Sequence, residues 1–180
     1  MFSKSYKRWR HTRGYGVHSP FAFFLINEVI NSRRGYSYYG EEELDNRLKD
    51  RGRKQRRFGR LIMRLAARLD VGSAFISENS DKKLFESALT AANSKIALTS
   101  AEDLADNSRL IITRADHMVI DKLEKLLERP GRILLLTDTP KGWRQRLFDS
   151  LEEGLMFYGK RNLLLINRPT MQKVAYSIKL

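Results

Sequence analysis

Three polar residues in the second half of the sequence have the types needed for acid–base chemistry. Asp116 and His117 follow one apolar run, and Asp138 follows another. If both runs are strands of one open sheet, these residues lie near its carboxyl edge, where such sheets bind ligands. Asp116, His117 and Asp138 are therefore the candidate catalytic residues, with the imidazole as a general base. The alternative is local: Asp116 caps the following helix, and Asp138 begins a cap-and-turn sequence.

Other chemistries find less support in the sequence. Arg114 would bring a positive charge to the same cleft, so we expect no metal at Asp116, His117 and Asp138. The sequence contains no P-loop, Ser-His-Asp arrangement or paired-histidine metal motif, which leaves hydrolases and nucleotide triphosphatases without support. The absence of cysteine excludes disulfides, thiolate nucleophiles and cysteine zinc sites. It is also typical of a reducing cytoplasm, which is the expected location.

The net charge of +13 is concentrated in the first third of the chain. Residues 1–68 hold 17 Lys and Arg against 6 Asp and Glu, whereas residues 69–180 hold 17 against 15. Such a field favours RNA, DNA or another polyanion, with Tyr6 and Trp9 available to stack on bases. The candidate polyanion-binding residues are Arg8, Arg10, Arg57, Arg60, Arg64 and Arg68. The alternative is a solvated charged face that keeps the protein soluble.

The first third is predicted to be helical behind an extended arm, residues 1–16, that packs its aromatic rings on the body. A helix over 20–31 follows, because Ser19 caps its free N–H groups and proline suits the first helical position. Its apolar residues cover most of the circumference, which predicts burial on more than one side. Gly52 lies in a densely charged stretch, which predicts a mobile connection. The pattern over 55–69 predicts an amphipathic helix with an arginine stripe.

Beyond residue 69, short apolar runs alternate with helical patterns, as in parallel-sheet proteins. The predicted strands are Ser73–Ser77, Lys95–Thr99, Arg109–Thr113, Arg132–Thr137, Leu155–Tyr158, Leu163–Asn167 and Val174–Ile178. The predicted helices are Asp81–Ala92, His117–Glu128 and Lys141–Glu152. The last two strands flank a turn at 168–170 and predict an antiparallel hairpin. The fold class predicted from this pattern is α/β.

Three segments, at 14–21, 109–117 and 162–180, resemble class I S-adenosylmethionine-dependent methyltransferases. The run GYGVHSPF at 14–21 resembles an N-terminal "GxGVHSPF" element that precedes the catalytic domain in a group of bacterial members. The runs RLIITRADH at 109–117 and NLLLINRPTMQKVAYSIKL at 162–180 resemble the fourth-strand segment and the terminal hairpin of these enzymes. The resemblance implies a shortened three-layer α/β/α Rossmann-like sheet with a terminal antiparallel hairpin. Residues 1–69 would form the basic arm and helical extension, and residues 70–180 the methyltransferase-like core of one compact domain.

The same resemblance implies where a cofactor would bind. Family members carry an acid and a glycine-rich turn, E-x-G-x-x-x-G, after the first strand, because the backbone must approach the cofactor closely. Here the acid falls at Phe75 and the two glycines at Ser77 and Asp81. The acid after the second strand falls near Ser100. The residues that would line the cofactor are Ser77, Glu78, Asn79 and Ser100.

The connection between the second and third predicted strands is also short. Only nine residues separate Thr99 from Arg109, where family members place a helix, a strand and another helix. A crossover helix needs a dozen or more residues. Either the sheet lacks the family's third strand and its neighbouring helix, or the 95–99 strand is an edge strand paired differently. Both alternatives shrink the adenine pocket.

Two functions therefore remain open from the sequence. One is a methyltransferase-like protein with an eroded site, weak or no catalysis, and S-adenosylmethionine as a doubtful cofactor. The other is a non-catalytic module that uses its basic N-terminal third to bind nucleic acid or another polyanion. No uninterrupted apolar run approaches the ~20 residues that a membrane span needs, so no membrane span is expected.

Overall fold

The computed structural model describes residues 4–31, 40–78, 80–100, 102–115, 118 and 120–180. The helices are α1 (Lys4–Thr12), α2 (Pro20–Phe24, continued by a π-helical segment, Leu25–Ile30), α3 (Glu41–Arg47), α4 (Arg53–Arg68), α5 (Lys82–Ala92), α6 (Ile120–Glu128) and α7 (Lys141–Ser150). The strands are β1 (Ser73–Ile76), β2 (Ala97–Thr99), β3 (Leu110–Arg114), β4 (Ile133–Thr137), β5 (Gly154–Tyr158), β6 (Leu163–Asn167) and β7 (Val174–Ser177). A 3₁₀ helix covers Glu102–Asn107. No helix within the described ranges is long and apolar enough to cross a membrane.

The strands form one mixed sheet in the order β2-β1-β3-β4-β6-β5-β7. The pairs β1–β2, β1–β3 and β3–β4 are parallel. Strand β6 runs antiparallel to both of its neighbours, β4 and β5, and β7 is parallel to β5. The predicted α/β class is confirmed.

Both faces of the sheet are covered, because side chains of successive strand residues point to opposite faces. In β1, Ala74 and Ile76 belong to the apolar cluster shared with α2, α4 and α5. Phe75 belongs to the second cluster, shared with α6 and α7. The helices of the N-terminal third therefore supply much of one covering layer and are part of the core.

The N-terminal segment is not an extended arm: residues 4–12 form α1. Arg8 and His11 lie one turn apart on α1 and face the edge strand β7, where Arg8 Nε donates to Ser177 Oγ at 3.2 Å. The ring of His11 lies edge-on to Tyr176. The extended-arm prediction is therefore wrong. Arg8 and His11, rather than the aromatic rings, dock the segment, and Trp9 stays exposed.

The start of α2 is confirmed, since Ser19 Oγ accepts a hydrogen bond from Ala22 N at 3.2 Å. Burial on more than one side holds for Ala22, Leu25 and Ile26, whereas Phe23 is exposed. One face of the helix is therefore open to solvent.

The predicted hairpin of the last two strands is wrong. Strand β6 pairs with β5 and β4, and β7 lies on the far side of β5. All five residues of β6 are buried, which requires partners on both sides, whereas β7 is only partly buried and lies at the edge. The antiparallel hairpin is formed by β5 and β6.

The short connection after β2 places that strand at the edge of the described sheet. The 3₁₀ helix occupies this connection, and two arginines donate hydrogen bonds to its last turn. Arg132 donates to the carbonyl oxygens of Ala105 and Asp106, and Arg129 also reaches Asp106 O. Among the described residues, β2 pairs with β1 alone, in parallel, so the sheet ends there.

Candidate functional site

The chain reverses direction across the sheet between β1 and β3. From β1 it passes through α5 to β2 on one side, and it then returns to β3 on the other side of β1. Open α/β sheets bind ligands outside the carboxyl ends of the strands at such a switch point. Ser77 follows β1 there and Arg114 ends β3. We call the carboxyl ends of β1, β3 and β4, with Ser77, Arg114 and Asp138, the switch-point region.

On the β1 side, the first residue of the switch-point region is a buried serine. Ser77 N donates to Ile112 O at 3.0 Å, and Ser77 Oγ lies 2.7 Å from Ser80 Oγ. Glu78 is exposed, and Asn79 lies outside the described residues. The hydroxyl of Ser77 is therefore engaged within its own turn.

The resemblance also singles out positions 75 and 81. The side chains there differ from the acid and the glycine that family members carry. Phe75, at the position of the family acid, is fully buried in the cluster with α6 and α7. Asp81, at the position of the second glycine, caps α5: its Oδ1 accepts from Leu84 N at 3.3 Å and from Arg51 Nη2 at 2.9 Å. The N-terminus of α5 is thus satisfied by the chain's own carboxylate. The same ion pair ties the predicted mobile connection beside Gly52 to α5.

Ser100 follows β2 at the edge of the sheet and is half-buried. The register pairs Phe75 with Thr99, so Ser77 and Ser100 end neighbouring strands. Of the four residues expected to line a cofactor, Ser77 and Ser100 therefore lie at the carboxyl ends of neighbouring strands.

On the β3 and β4 side, the switch-point region carries an aspartate that forms ion pairs with two arginines. Asp138 Oδ2 lies 3.8 Å from Arg114 Nε, and Asp138 Oδ1 lies 3.6 Å from Arg161 Nη1. Asp138 has φ +53°, a left-handed conformation that aspartate tolerates. It does not cap α7, whose N-cap residue is Pro140. The carboxylate of Asp138 is therefore engaged in two ion pairs.

Asp116 and His117 lie outside the described residues, so the predicted catalytic group stays a prediction. Within the described ranges, no three acidic or histidine side chains lie close enough together to hold a metal ion.

The predicted arginine stripe on α4 divides into structural and exposed members. Arg60 pairs with Asp45 across to α3 through Nε and Nη2, and that hydrogen bond raises the pKa of Arg60. Arg64 is buried, and its guanidinium donates to the carbonyl oxygen of Val29 and to the carboxylate of Glu41. These two arginines do not form a free phosphate-binding face, because the fold uses their charges internally.

The remaining basic candidates have different surroundings. Arg68 lies over the ring of Phe24 at 5.7 Å, and Arg8 is bonded to Ser177. Arg10 is half-buried and lines a small cavity beside Tyr6. Arg57 is exposed.

A second candidate site lies between α1 and α2, and we call it the α1–α2 groove. It is a cavity of about 730 Å³ with aromatic, basic and amide residues in its lining: Trp9, Thr12, Arg13, Phe23, Asn27, Glu28, Asn31, Arg57 and Lys179. Sequence reasoning missed Arg13, Phe23 and Lys179. The periodicity of α2 could have indicated Phe23, because seven apolar residues are too many for one buried face.

The surroundings of His11 predict that the docking of α1 depends on pH. Its ring centroid lies 5.5 Å from that of Tyr176, a buried residue of β7. Burial, and then the positive charges of Arg10 and Lys7, lower the pKa of His11 from its ordinary value of 6.5. The unfolded chain therefore binds this proton more readily than the folded chain does. The contribution of neutral His11 is present above about pH 6.5 and is lost as the pH falls through the lowered pKa.

We therefore expect the free energy of unfolding to fall more steeply from pH 7 to pH 5 in the parent protein than in a His11→Phe variant. Phenylalanine retains an aromatic edge against Tyr176 but binds no proton. Urea unfolding at pH 7, 6 and 5 measures the difference, and carboxylates that titrate at lower pH affect both proteins alike. Equal pH slopes in the two proteins would contradict this expectation.

Comparisons with protein-family models, curated proteins and solved structures return no match to this chain.

Proposed function

We propose that the chain is a class I methyltransferase-like domain that has lost its cofactor site and binds polyanions through its N-terminal third. Two features support the family assignment beside the GYGVHSPF run at 14–21. The order β2-β1-β3-β4 is that of a doubly wound sheet shortened at one edge. The β5–β6 hairpin then adds an antiparallel strand next to β4, near the end of the chain.

The turn after β1 is the observation that supports the proposed loss of the cofactor site. A cofactor there needs a carboxylate and two positions without side chains, and the chain places Phe75, Ser77 and Asp81 at them. Phe75 is buried, Ser77 is bonded to Ser80, and Asp81 is held by Arg51. If each lost contact is worth about 1 kcal/mol, three of them weaken cofactor binding by roughly 100-fold.

The binding half of the proposal is supported by the charge distribution. Most of the net charge of +13 lies in residues 1–68. Arg13 and Arg57 are exposed there, and both line the α1–α2 groove. Electrostatic attraction of this kind needs no preformed catalytic site, and it acts on any phosphate backbone.

Isothermal titration with S-adenosylmethionine and S-adenosylhomocysteine tests the cofactor half. We expect no binding tighter than about 100 μM, which corresponds to roughly 5 to 6 kcal/mol. The reason is the loss of three contacts in one pocket. An active class I methyltransferase titrated with the same ligand solutions is the positive control. A dissociation constant below that limit would refute the proposed loss and direct mutagenesis to Asp116, His117 and Asp138.

A further inference from the structure

We infer that the α1–α2 groove binds single-stranded nucleic acid, stacking unpaired bases on its aromatic rings and placing phosphates near its cations. The inference rests on the proposed polyanion binding and specifies the ligand. It also centres the binding surface on the groove beside α1, which includes Arg57 of the α4 stripe but not Arg60, Arg64 or Arg68.

The first observation is a concentration of exposed aromatic rings. Of the five exposed large apolar side chains in the described ranges, four lie within residues 6–23. They are Tyr6, Trp9, Tyr15 and Phe23, with 40%, 44%, 57% and 49% of their surface accessible. Exposed apolar surface clustered in this way marks an interaction site more often than scattered single residues do.

The second observation is that the rings share an orientation. Trp9 is stacked with Tyr6 at 5.9 Å and 20° between the ring planes, and with Tyr15 at 6.3 Å and 18°. The guanidinium of Arg13 lies over Trp9, 4.6 Å from the ring centroid. Of these rings Trp9 lines the α1–α2 groove, and its plane offers an unpaired base a stacking surface, since every base has a flat π-face.

The third observation is a basic track. Arg13, Arg57 and Lys179 line the α1–α2 groove, against a single carboxylate, Glu28. Arg57 and Lys179 also line an adjoining cavity of about 370 Å³ that is apolar beside Phe58. The same two cations therefore line both cavities, and a strand laid along them would place its phosphates near Arg57 and Lys179.

Single strands fit this surface better than duplexes or membranes do. A duplex hides its base faces inside its own stack, so it meets only the cations. An anionic membrane favours an amphipathic helix with a continuous apolar face. Here two rings, Trp9 and Phe23, line a groove that also contains the guanidinium of Arg13 and the amide of Asn27.

The test measures fluorescence anisotropy with labelled 12-nucleotide single strands, oligouridylate and oligothymidylate, and with a duplex of the same length. We expect the single strands to bind at least tenfold more tightly than the duplex at about 50 mM salt, and both to weaken as salt rises. Trp9 and Trp143 are the two tryptophans of the sequence. A Trp143→Phe background therefore isolates Trp9, whose emission we expect single strands to quench.

Single substitutions separate stacking from charge. We expect Trp9→Ala and Phe23→Ala each to weaken single-strand binding by roughly 5- to 100-fold and to leave duplex binding unchanged. Leu98→Ala is the matched control: it removes an exposed apolar side chain from β2, at the opposite edge of the sheet from β7. Because Trp9 and Phe23 are exposed, these variants keep the fold, which circular dichroism and the melting temperature verify.

Each remaining outcome overturns a different statement. Equal affinity for single strands and duplex, or no effect of Trp9→Ala, would overturn the stacking inference and leave polyanion binding standing. Binding of neither nucleic acid at low salt would overturn the proposed function itself. Capture by vesicles of anionic phospholipid, with no preference for single strands, would assign the surface to a membrane instead.

Discussion

An Arg64→Leu variant is expected to lose about 2 to 3 kcal/mol of unfolding free energy, whereas Arg57→Leu should stay within about 0.5 kcal/mol of the parent protein. Both arginines lie on α4 and belong to the same predicted stripe. Arg64 is buried: its Nε donates to Val29 O at 2.9 Å, and its Nη1 lies 3.1 Å from Glu41 Oε1. Arg57 is exposed.

The large cost arises because leucine replaces only one partner of a buried network. The carbonyl group of Val29 and the carboxylate of Glu41 lose their donor, and unsatisfied buried groups are costly. Glu41 keeps 23% of its side-chain surface accessible, so we expect a cost below the 3 to 5 kcal/mol of fully buried pairs. A second substitution, Glu41→Leu, should recover part of the loss.

Polyanion binding should depend more on Arg57 than on Arg64, the reverse of the effect on unfolding free energy. Arg57→Leu is expected to weaken duplex and single-strand binding and to lower the slope of log K against log salt by about 1 for a lost phosphate contact. Urea unfolding and anisotropy at several salt concentrations measure the two effects on the same variants. If Arg64→Leu proves as stable as the parent protein and binds more weakly, the stripe on α4 is the binding surface after all.

A Gly154→Ala variant is expected to lose about 3 to 4 kcal/mol of stability, or to fail to accumulate as folded protein. Gly154 begins β5 with φ +123°, a region that L-residues rarely adopt. A Cβ atom there would overlap the carbonyl oxygen of Ile166 and lie 2.9 Å from the amide nitrogen of Arg168. Both obstacles are backbone atoms, so no side-chain rotation relieves them.

Gly142→Ala provides the matched control in the first turn of α7. A Cβ atom at Gly142 meets nothing within 4 Å, and alanine is the better helix former by about 1 kcal/mol at most. For a chain of this size we expect the melting temperature to fall by roughly 10 °C in Gly154→Ala and to rise by about 2 °C in Gly142→Ala. Equal melting temperatures would show that the β5–β6 pairing does not need this glycine.

Part of the candidate sites was visible in the residue types. The absence of glycine after the first strand and the shortness of the segment after Thr99 are both written in the sequence. So are the basic charge and the aromatic rings of the first third. The roles of individual arginines were not visible, because Arg57 and Arg64 have the same residue type and lie on one helix. Only the packing of α4 against α2 and α3 separates them.

The sequence by itself determined the strands and the helices α2 and α4 to α7, whereas α1 and α3 were not predicted. Apolar runs of three or four residues predicted each of the seven strands of the described sheet, and Ser19 began its helix as a cap, because these signals act within a few residues of the chain. The tertiary structure decided the partners. It placed β6 between β4 and β5, turned residues 4–12 into a docked helix, and left Phe23 exposed beside Trp9. Strand pairing and helix docking are chosen by burial summed over distant segments, and no local pattern records that sum.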